Sequence, residues 1–178
     1  MTEKMPRNRK VLGEGKYKRL VVEDDWEYLE KLKKCEIVAV LAVNDDGQLL
    51  LVEQYRVPVG QNVIELPAGL ANDLEEHAGE SLADAARREL LEETGYEAGE
   101  MQAILRGPLS AASSSDIMTL FLAGRLRKVG AGGGDPTESI TVHEVPLEKI
   151  HDWIRGKEKA GGWVDPKVYA GLYLLRAR

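Results

Sequence analysis

The sequence has a single cysteine, Cys35, among its 178 residues. One cysteine allows no intramolecular disulfide and supplies too few thiolates for a cysteine-ligated metal site. Long apolar runs are also missing, since no segment approaches the roughly 20 residues that a membrane-spanning helix needs. The basic start "MTEKMPRNRK" leads into no signal-peptide core. We therefore expect a cytoplasmic protein that enters no membrane.

The sequence also has fewer basic than acidic residues. The 24 lysines and arginines face 30 aspartates and glutamates, which gives a formal net charge of −6. Proteins that grip nucleic acid polymers regardless of sequence neutralise phosphates with lysine and arginine, so this charge argues against such a partner. If the substrate is itself anionic, a divalent cation is the obvious group to offset the charge. Length and composition are typical of one folded domain with room for an appended element.

Turn residues and alternating apolar residues predict two hairpins in the first third of the chain. Residues 11–34 have short strand-like pieces around the turn "GEG" at 13–15. The second hairpin joins "EIVAVLAV" (36–43) to "QLLLVEQYR" (48–56) through the turn "NDDG". Further strands are expected at 62–67, 101–106, 117–126 and 139–145.

Helical patterns accompany these strands in the rest of the chain. Ser81 precedes an apolar stripe and has Asp84 three residues on, so it predicts the start of a helix, which Gly95 ends. After Pro146, apolar residues at three- and four-residue spacings predict two more helices. The order of elements predicts a mixed α/β (α+β) fold, in which a sheet lies between flanking helices.

The first predicted helix concentrates carboxylates on one face. Because successive residues advance by about 100°, Glu89 and Glu93 nearly eclipse each other and Glu92 lies in the same sector. Like charges at this spacing destabilise an isolated helix, so the arrangement favours a bound cation. Clustered oxygen ligands suit Mg²⁺, with Mn²⁺ as a substitute. The alternative interpretation is a solvated acidic face whose ion-pair partners are Arg87 and Arg88.

The residues around this helix resemble the signature of the Nudix hydrolases: a glycine, a glutamate, and then Arg-Glu-Leu-x-Glu-Glu-x-Gly with an apolar residue after it. The matching residues are Gly69, Glu80, the run from Arg88 to Gly95, and Tyr96. The family usually has fewer residues between its glycine and first glutamate than the ten that separate Gly69 from Glu80 here. These extra residues lie upstream of the helix, so we expect them to lengthen a loop without rotating the glutamates.

The resemblance implies a Nudix α/β/α sandwich with a mixed sheet and an N-terminal β-hairpin extension. Residues 1–34 would form the extension and residues 35–178 the hydrolase domain. The extension is too short to be stable alone, and relatives exchange such strands between subunits, so a homodimer formed through it is expected.

The resemblance also assigns metal ligands. Glu89 and Glu93 would be the principal ligands, Glu93 being essential for catalysis, and Glu92 would be a further or water-mediated ligand. The carbonyl of Ala68 would add another oxygen. Three residues would support this site structurally: Gly69 and the ion pair of Glu80 with Arg88, which would hold the loop to the helix.

The flanking segments "VEQYRVPVG" (52–60) and "IELPAGL" (64–70) resemble the branch of ADP-ribose pyrophosphatases and nucleoside diphosphate sugar hydrolases. The resemblance implies Mg²⁺-dependent cleavage of the diphosphate of a nucleoside diphosphate sugar, ADP-ribose being the first choice, to a nucleoside monophosphate and a sugar phosphate. One alternative is Nudix hydrolysis of GDP-mannose, a dinucleoside polyphosphate or a nucleoside triphosphate. Another is a non-catalytic module that senses a nucleotide.

Within this branch, two charged residues would act on the diphosphate. Arg56 would face it, since a guanidinium fork matches phosphate oxygens better than an ammonium does. Glu138, in the glycine-rich loop before "SITVHEV", would be the general base that activates water. Glu144 and Asp135 are nearby competitors for that role.

Three residues outside the signature would complete the substrate site. Trp26 and Tyr28 lie where relatives present an aromatic ring to the nucleobase, often across the dimer interface, and Trp26 is the better candidate. Base stacking on such a ring tolerates different bases. The alternative is that both aromatic side chains pack in the core or an interface. Asp116, at the end of "SSSD", would meet the distal sugar.

Overall fold

The structure, a computed structural model, describes residues 8–72, 74–134 and 139–177. Within these ranges the strands are β1 Arg9–Glu14, β2 Lys18–Glu23, β3 Trp26–Lys31, β4 Ile37–Ala42, β5 Gln48–Arg56, β6 Gln61–Glu65, β7 Ala68–Leu70, β8 Tyr96–Pro108, β9 Ile117–Lys128, β10 Ile140–Pro146 and β11 Trp163–Val164. The α-helices are α1 Leu82–Thr94, α2 Ile150–Lys159 and α3 Pro166–Arg176. Each helix in the described part of the chain is too short or too polar to cross a membrane.

The N-terminal segment forms a three-stranded antiparallel sheet in the order β1-β2-β3, with one strand more than the predicted hairpin. The second turn lies at Asp24 and Asp25, whose φ angles are 48° and 70°. Aspartate tolerates this left-handed conformation better than most residues, so "EDDW" reverses the chain without a glycine. The sequence did not predict this turn, because the pair Asp24-Asp25 lacks the glycine that marks the turns at 13–15 and 44–47.

Strand β3 ties this sheet to the rest of the molecule. Leu29 donates its N–H to the carbonyl of Ser113 at 2.9 Å and accepts from the N–H of Ser115 at 3.0 Å. Both serines belong to the connection between β8 and β9. The sheet is therefore hydrogen-bonded to the loop that precedes Asp116.

Two four-stranded mixed sheets form the centre of the molecule, in the orders β7-β4-β9-β8 and β10-β5-β6-β11. Strand β4 runs parallel to β9, and β11 runs parallel to β6. The predicted hairpin of β4 and β5 is wrong beyond its turn, since only a bridge between Val43 and Leu49 joins the two strands before they enter different sheets. Both strands are apolar on both faces, and such strands need neighbours on each side and cover on both faces.

Helices cover both faces of these sheets, which confirms the α/β/α sandwich. On one face, α1 packs its apolar side onto alternate residues of the central strands; the buried cluster includes Val38, Val40, Leu50, Ala85, Ala86 and Leu90. On the other face, α2 and α3 pack onto the intervening residues; this cluster includes Leu41, Leu49, Leu51, Ile150, Ile154, Val168 and Leu172. Each fully buried leucine or isoleucine contributes about 1.5–3 kcal/mol of hydrophobic free energy.

Helix α1 begins and ends where the sequence predicts. The Ser81 hydroxyl accepts the N–H of Asp84 at 3.1 Å, which satisfies one of the free donors of the first turn. At the other end Gly95 adopts a left-handed φ of 75° and donates to the carbonyl of Leu91 at 2.8 Å. These caps fix the ends of the helix, and the packing of its apolar face on the sheet fixes the direction of its glutamates.

Candidate active site

The site forms where β7 meets α1. Alternate residues of an antiparallel strand bond to the neighbouring strand, and Pro67 and Ala71 make such bonds to the β4 side. The N–H and carbonyl groups of Ala68 and Leu70 consequently point away from β4. These backbone groups of Ala68 and Leu70 face α1 and bond to its side chains.

Glu93 is the most deeply buried acid of the helix, with only 3% of its surface exposed. Its carboxylate accepts the N–H of Ala68 at 3.0 Å. Since the N–H and carbonyl of one strand residue point to the same side, the Ala68 carbonyl lies on the strand edge that faces Glu93. The structure thus brings together two oxygens predicted to bind metal.

Glu89 lies against Gly69, one strand residue further on. A Cβ atom at position 69 would lie 2.0 Å from the Glu89 carboxyl carbon and 2.1 and 2.3 Å from its two oxygens. A side chain at position 69 would displace the Glu89 carboxylate, and only 14% of the Glu89 side chain is exposed. The glycine therefore creates the space that the carboxylate fills.

Arg88 joins the loop to the helix through its whole guanidinium group. Its Nη2 donates to the Leu70 carbonyl at 3.1 Å and to Glu80 at 3.1 Å, and Nε also donates to Glu80 at 3.3 Å. Its Nη1 donates to Glu89 at 2.8 Å and to Glu92 at 3.2 Å. Burial alone would lower the pKa of Arg88, but its bonds and charge interactions with Glu80 and Glu89 raise that pKa above its ordinary value.

Glu80 is the loop's side of this ion pair. Its carboxylate also accepts the N–H of Asn72 at 3.1 Å. Burial alone would raise the pKa of Glu80, yet the bonds from Arg88 and Asn72 hold it below its ordinary value. Glu80 is therefore charged whenever the loop is docked near neutral pH.

The three predicted ligands are not equivalent. Glu89 and Glu93 face the strand, whereas Glu92 lies at the edge with 47% of its side chain exposed. Within residues 8–72, 74–134 and 139–177, no three histidine, cysteine, aspartate or glutamate side chains lie close enough together to hold a metal ion by themselves. The donors of the site are all oxygens, and the gap left by Gly69 keeps one carboxylate beside the strand edge. This donor set fits a hard cation that completes its coordination with water and phosphate oxygens.

Arg56 lies on the same face of the molecule as α1. Residues two apart on a strand share a face, and Leu50 of β5 packs in the α1 cluster, so Gln54 and Arg56 face α1 as well. Arg56 donates through Nε to Glu65 at 2.8 Å, and Nη2 bonds to the same oxygen. The guanidinium is thereby held on the carboxylate side of the sheet with 41% of the side chain exposed. Glu65 was not predicted from the sequence to be the partner of Arg56.

The chain is similar to proteins of a known family. Residues 33–169 match the family model of the NUDIX domain. The chain belongs to the Nudix family of hydrolases. The family expected from the signature is therefore confirmed, and divalent metals are the general cofactors of its enzymes.

Two curated proteins and one solved structure show how far the Nudix likeness extends. The chain is 36% identical to an ADP-ribose pyrophosphatase of Bacillus subtilis (strain 168) over 151 residues, 81% of this chain and 79% of that protein. It is 36% identical to a methanol dehydrogenase activator of Bacillus methanolicus over 121 residues, 67% of this chain but only 63% of that protein, which is less than two thirds. The crystal structure of an ADP compounds hydrolase superposes with a TM-score of 0.73 at 21% identity, over 96% of this chain and 90% of that one, and confirms the fold.

The glycine-rich segment after β9 docks onto the end of the Nudix helix. The N–H groups of Gly133 and Gly134 donate to the carbonyls of Glu93 and Glu92 at 2.9 and 3.0 Å. The predicted base Glu138 and its competitor Asp135 lie outside the described residues, so their roles stay predictions.

The second competitor for the base, Glu144, has its carboxylate in a structural network. It accepts from Lys128 at 2.6 Å and from the Tyr96 hydroxyl at 3.0 Å. The hydrogen bond from Lys128 lowers the pKa of Glu144 below its ordinary value, against the effect of burial. Each of its two oxygens accepts one of these hydrogen bonds, and the lowered pKa makes Glu144 a weak candidate for a base.

Trp26 and Tyr28 border one groove of about 500 Å³ beside the connection between β8 and β9. Trp26 is 62% exposed, and the Tyr28 hydroxyl donates to Glu23 at 2.8 Å. Asp116 is instead 9% exposed, with its carboxylate 2.8 Å from the ammonium of Lys31 on β3. Burial would raise the pKa of Asp116, but Lys31 and Ser114 lower it below its ordinary value. Contact of Asp116 with a sugar stays a prediction.

Proposed function

We propose that this Nudix protein is a Mg²⁺-dependent hydrolase of nucleoside diphosphate sugars. ADP-ribose is the first-choice substrate, and the products are a nucleoside monophosphate and a sugar phosphate. The observation that carries the proposal is the placement of Glu89 and Glu93 along the edge of β7, on the face of the molecule that also presents Arg56. The similarity to an ADP-ribose pyrophosphatase over 81% of the chain supports the choice of substrate.

Glu89, Glu92, Glu93 and the Ala68 carbonyl would hold the cation, which is Mg²⁺ or, in its place, Mn²⁺. When bound, such a cation withdraws charge from the phosphoryl oxygens of the substrate. Arg88 fixes the rotation of Glu89 by a 2.8 Å bond and links it to the loop through Leu70. Glu65 accepts a hydrogen bond from Arg56 and so orients its planar guanidinium group, which would bind the diphosphate oxygens.

Glu138 would take a proton from the attacking water as the water oxygen bonds to phosphorus. The bond from phosphorus to the bridging oxygen breaks, and that oxygen leaves with the second phosphate. The anchoring of Gly134 to the Glu92 carbonyl supports this role. Gly134 precedes Glu138 by four positions in the sequence.

The N-terminal sheet would complete the site in a homodimer. Its exposed apolar side chains support burial against a second copy; they include Val11, Leu12, Leu20 and Leu29. Trp26, which is largely exposed in the single chain, would stack on the nucleobase, with Tyr28 beside it, and Asp116 would approach the distal sugar. The single cysteine is typical of proteins in reducing compartments, which supports a cytoplasmic enzyme.

A substrate panel with product identification tests the proposal. The panel contains ADP-ribose, ADP-glucose, GDP-mannose, a diadenosine polyphosphate and a nucleoside triphosphate, each with Mg²⁺ and with a chelator as control. We expect the highest kcat/KM for ADP-ribose, with AMP and ribose 5-phosphate released in equal amounts. Preferred release of pyrophosphate from the triphosphate would contradict the substrate class. Nucleotide binding without turnover of any compound would indicate a sensing module.

A further inference from the structure

The groove beside Trp26 has two walls that are far apart in the sequence. The N-terminal sheet forms one wall, which includes Trp26 and Tyr28 of β3. The connection between β8 and β9, at 109–116, forms the other wall with two alanines and two serines. The spacing of the walls, and so the fit of a planar ligand between them, depends on the contacts that join the sheet to the connection.

A buried ion pair joins the two walls. The Lys31 ammonium, on β3 three residues after Tyr28, lies 2.8 Å from the Asp116 carboxylate, and only 11% and 9% of the two side chains are exposed. Asp116 directly follows Ser115 of the groove, and its own carbonyl accepts the N–H of Leu109 at 3.0 Å, which closes the connection into a loop. Lys31 thus holds one end of that loop against β3.

Backbone hydrogen bonds join the same walls but are less selective. Leu29 of β3 donates to Ser113 and accepts from Ser115. Every peptide unit offers the same donor and acceptor, so such bonds can also form with the strand shifted by two residues. The ion pair forms only when Lys31 meets Asp116, and it therefore selects one register. A buried ion pair contributes little net stability, and fixing a register is its best-attested use.

Asp116 also lies beside a second lysine. Lys18 of β2 is directly opposite Lys31, and its ammonium lies 4.0 Å from the Asp116 carboxylate. Like charges opposite each other on neighbouring strands repel. Loss of Asp116 alone would leave the two ammonium groups without this counter-charge, whereas loss of the Lys31 charge leaves Asp116 beside Lys18. Substitution of Lys31 is therefore the less disruptive test.

We propose that Lys31 is a positioning residue for the nucleobase. Lys31 touches no part of the nucleotide; it acts through Asp116, by holding the connection between β8 and β9 at the distance from Trp26 that a base needs. This inference rests on the proposed function, in which the base stacks on Trp26. It gives Asp116 a role within the folded chain that is separate from its predicted contact with the distal sugar.

Binding of AMP to the full-length protein with Mg²⁺, measured by calorimetric titration, tests the proposal. AMP has the base but neither a distal sugar nor a diphosphate to cleave, so the titration depends neither on turnover nor on a contact between Asp116 and the sugar. Lys31→Met should weaken AMP binding about tenfold, within the range that base stacking contributes. Lys31→Arg keeps the cation and should stay within about threefold of the wild type. Lys34→Met is the matched control and should bind AMP normally, because Lys34 lies in the same segment and is exposed.

A paired variant separates positioning from stability. Lys31→Met/Asp116→Leu replaces both charges by apolar groups, and such a replacement is often neutral or stabilising. We expect its Tm to be close to that of the wild type, while its AMP binding stays about tenfold weaker. Wild-type affinity in the paired variant would overturn the proposal. So would an equal loss in Lys34→Met, a Lys31→Arg variant as weak as Lys31→Met, or no AMP binding by the wild type at about 10 mM.

These outcomes are distinguishable from failure of the proposed function. Turnover of ADP-ribose together with wild-type AMP affinity in the paired variant would refute only the positioning role. The expected differences in AMP binding, in a chain that hydrolyses none of the panel substrates, would support the positioning role and refute only the hydrolase.

Discussion

The carboxylate of Glu89 occupies the space that a side chain at Gly69 would fill, with 2.0 Å between its carboxyl carbon and the position of a Cβ atom there. An alanine at position 69 would therefore push the end of the Glu89 side chain out of its present position. The backbone of Gly69 is not in the left-handed region, so the requirement for glycine is steric. The first glycine of the Nudix signature thus has a packing role in the site.

Gly69→Ala should displace Glu89 and reduce kcat/KM by about 10²-fold, since a shift of about 1 Å in a catalytic constellation has an effect of this size. Because the displaced group is the end of a flexible side chain, the free energy of unfolding should change little. Steady-state kinetics and thermal unfolding measure the two effects. Gly107→Ala is the control, because a Cβ atom there meets nothing within 4 Å. Wild-type kinetics in Gly69→Ala would show that Glu89 does not need its present position.

Much of this site was predictable from local sequence rules. Helical spacing placed Glu89 and Glu93 on one face, and the Ser81 and Gly95 caps fixed the limits of the helix that carries them. These features depend on residues within a few turns of each other. For that reason spacing and capping alone were sufficient to predict them.

Contacts between distant segments were not predictable in the same way. Nothing near Arg88 indicates that its guanidinium reaches the Leu70 carbonyl, 18 positions earlier in the sequence. Lys31 gave no signal of its buried pairing with Asp116, 85 positions later in the sequence. The wrong hairpin of β4 and β5 has a similar origin, since a good turn was visible but the parallel partner of β4, strand β9, was not.

Glu93→Gln should reduce turnover severely while the fold is retained. The amide oxygen of glutamine still accepts the N–H of Ala68, but the negative charge beside the substrate phosphates is lost. Removing one preorganised electrostatic group from an active site typically reduces kcat by about 10²–10³-fold. Glu92→Gln is the matched comparison and should reduce kcat by only about tenfold, because its side chain is 47% exposed. Equal losses of kcat in the two variants would contradict the prediction that Glu93 contributes more to catalysis than Glu92.

Glu138→Gln should lower kcat by about 10²–10⁴-fold, the usual contribution of a general base, with KM nearly unchanged. Glu144→Gln should keep a rate near that of the wild type, because Lys128 and Tyr96 hold that carboxylate in a structural network. Pre-steady-state kinetics with ADP-ribose separates loss of chemistry from slow product release. If Glu144→Gln is the slow variant and Glu138→Gln is not, the base has been assigned to the wrong residue.

Acid should weaken the attachment of the Nudix loop through Glu80. The folded pKa of Glu80 lies below its ordinary value of 4.5, because bonds from Arg88 and Asn72 outweigh the effect of burial. A lowered folded pKa stabilises the fold above the unfolded pKa, and this stabilisation is lost as pH falls through the folded value. The Tm difference between the wild type and Glu80→Gln should therefore be large near pH 7 and shrink as the pH falls below about 4.5. Glu75→Gln, an exposed change in the same loop, should show no such trend, and a difference that grew with acid would refute the predicted sign.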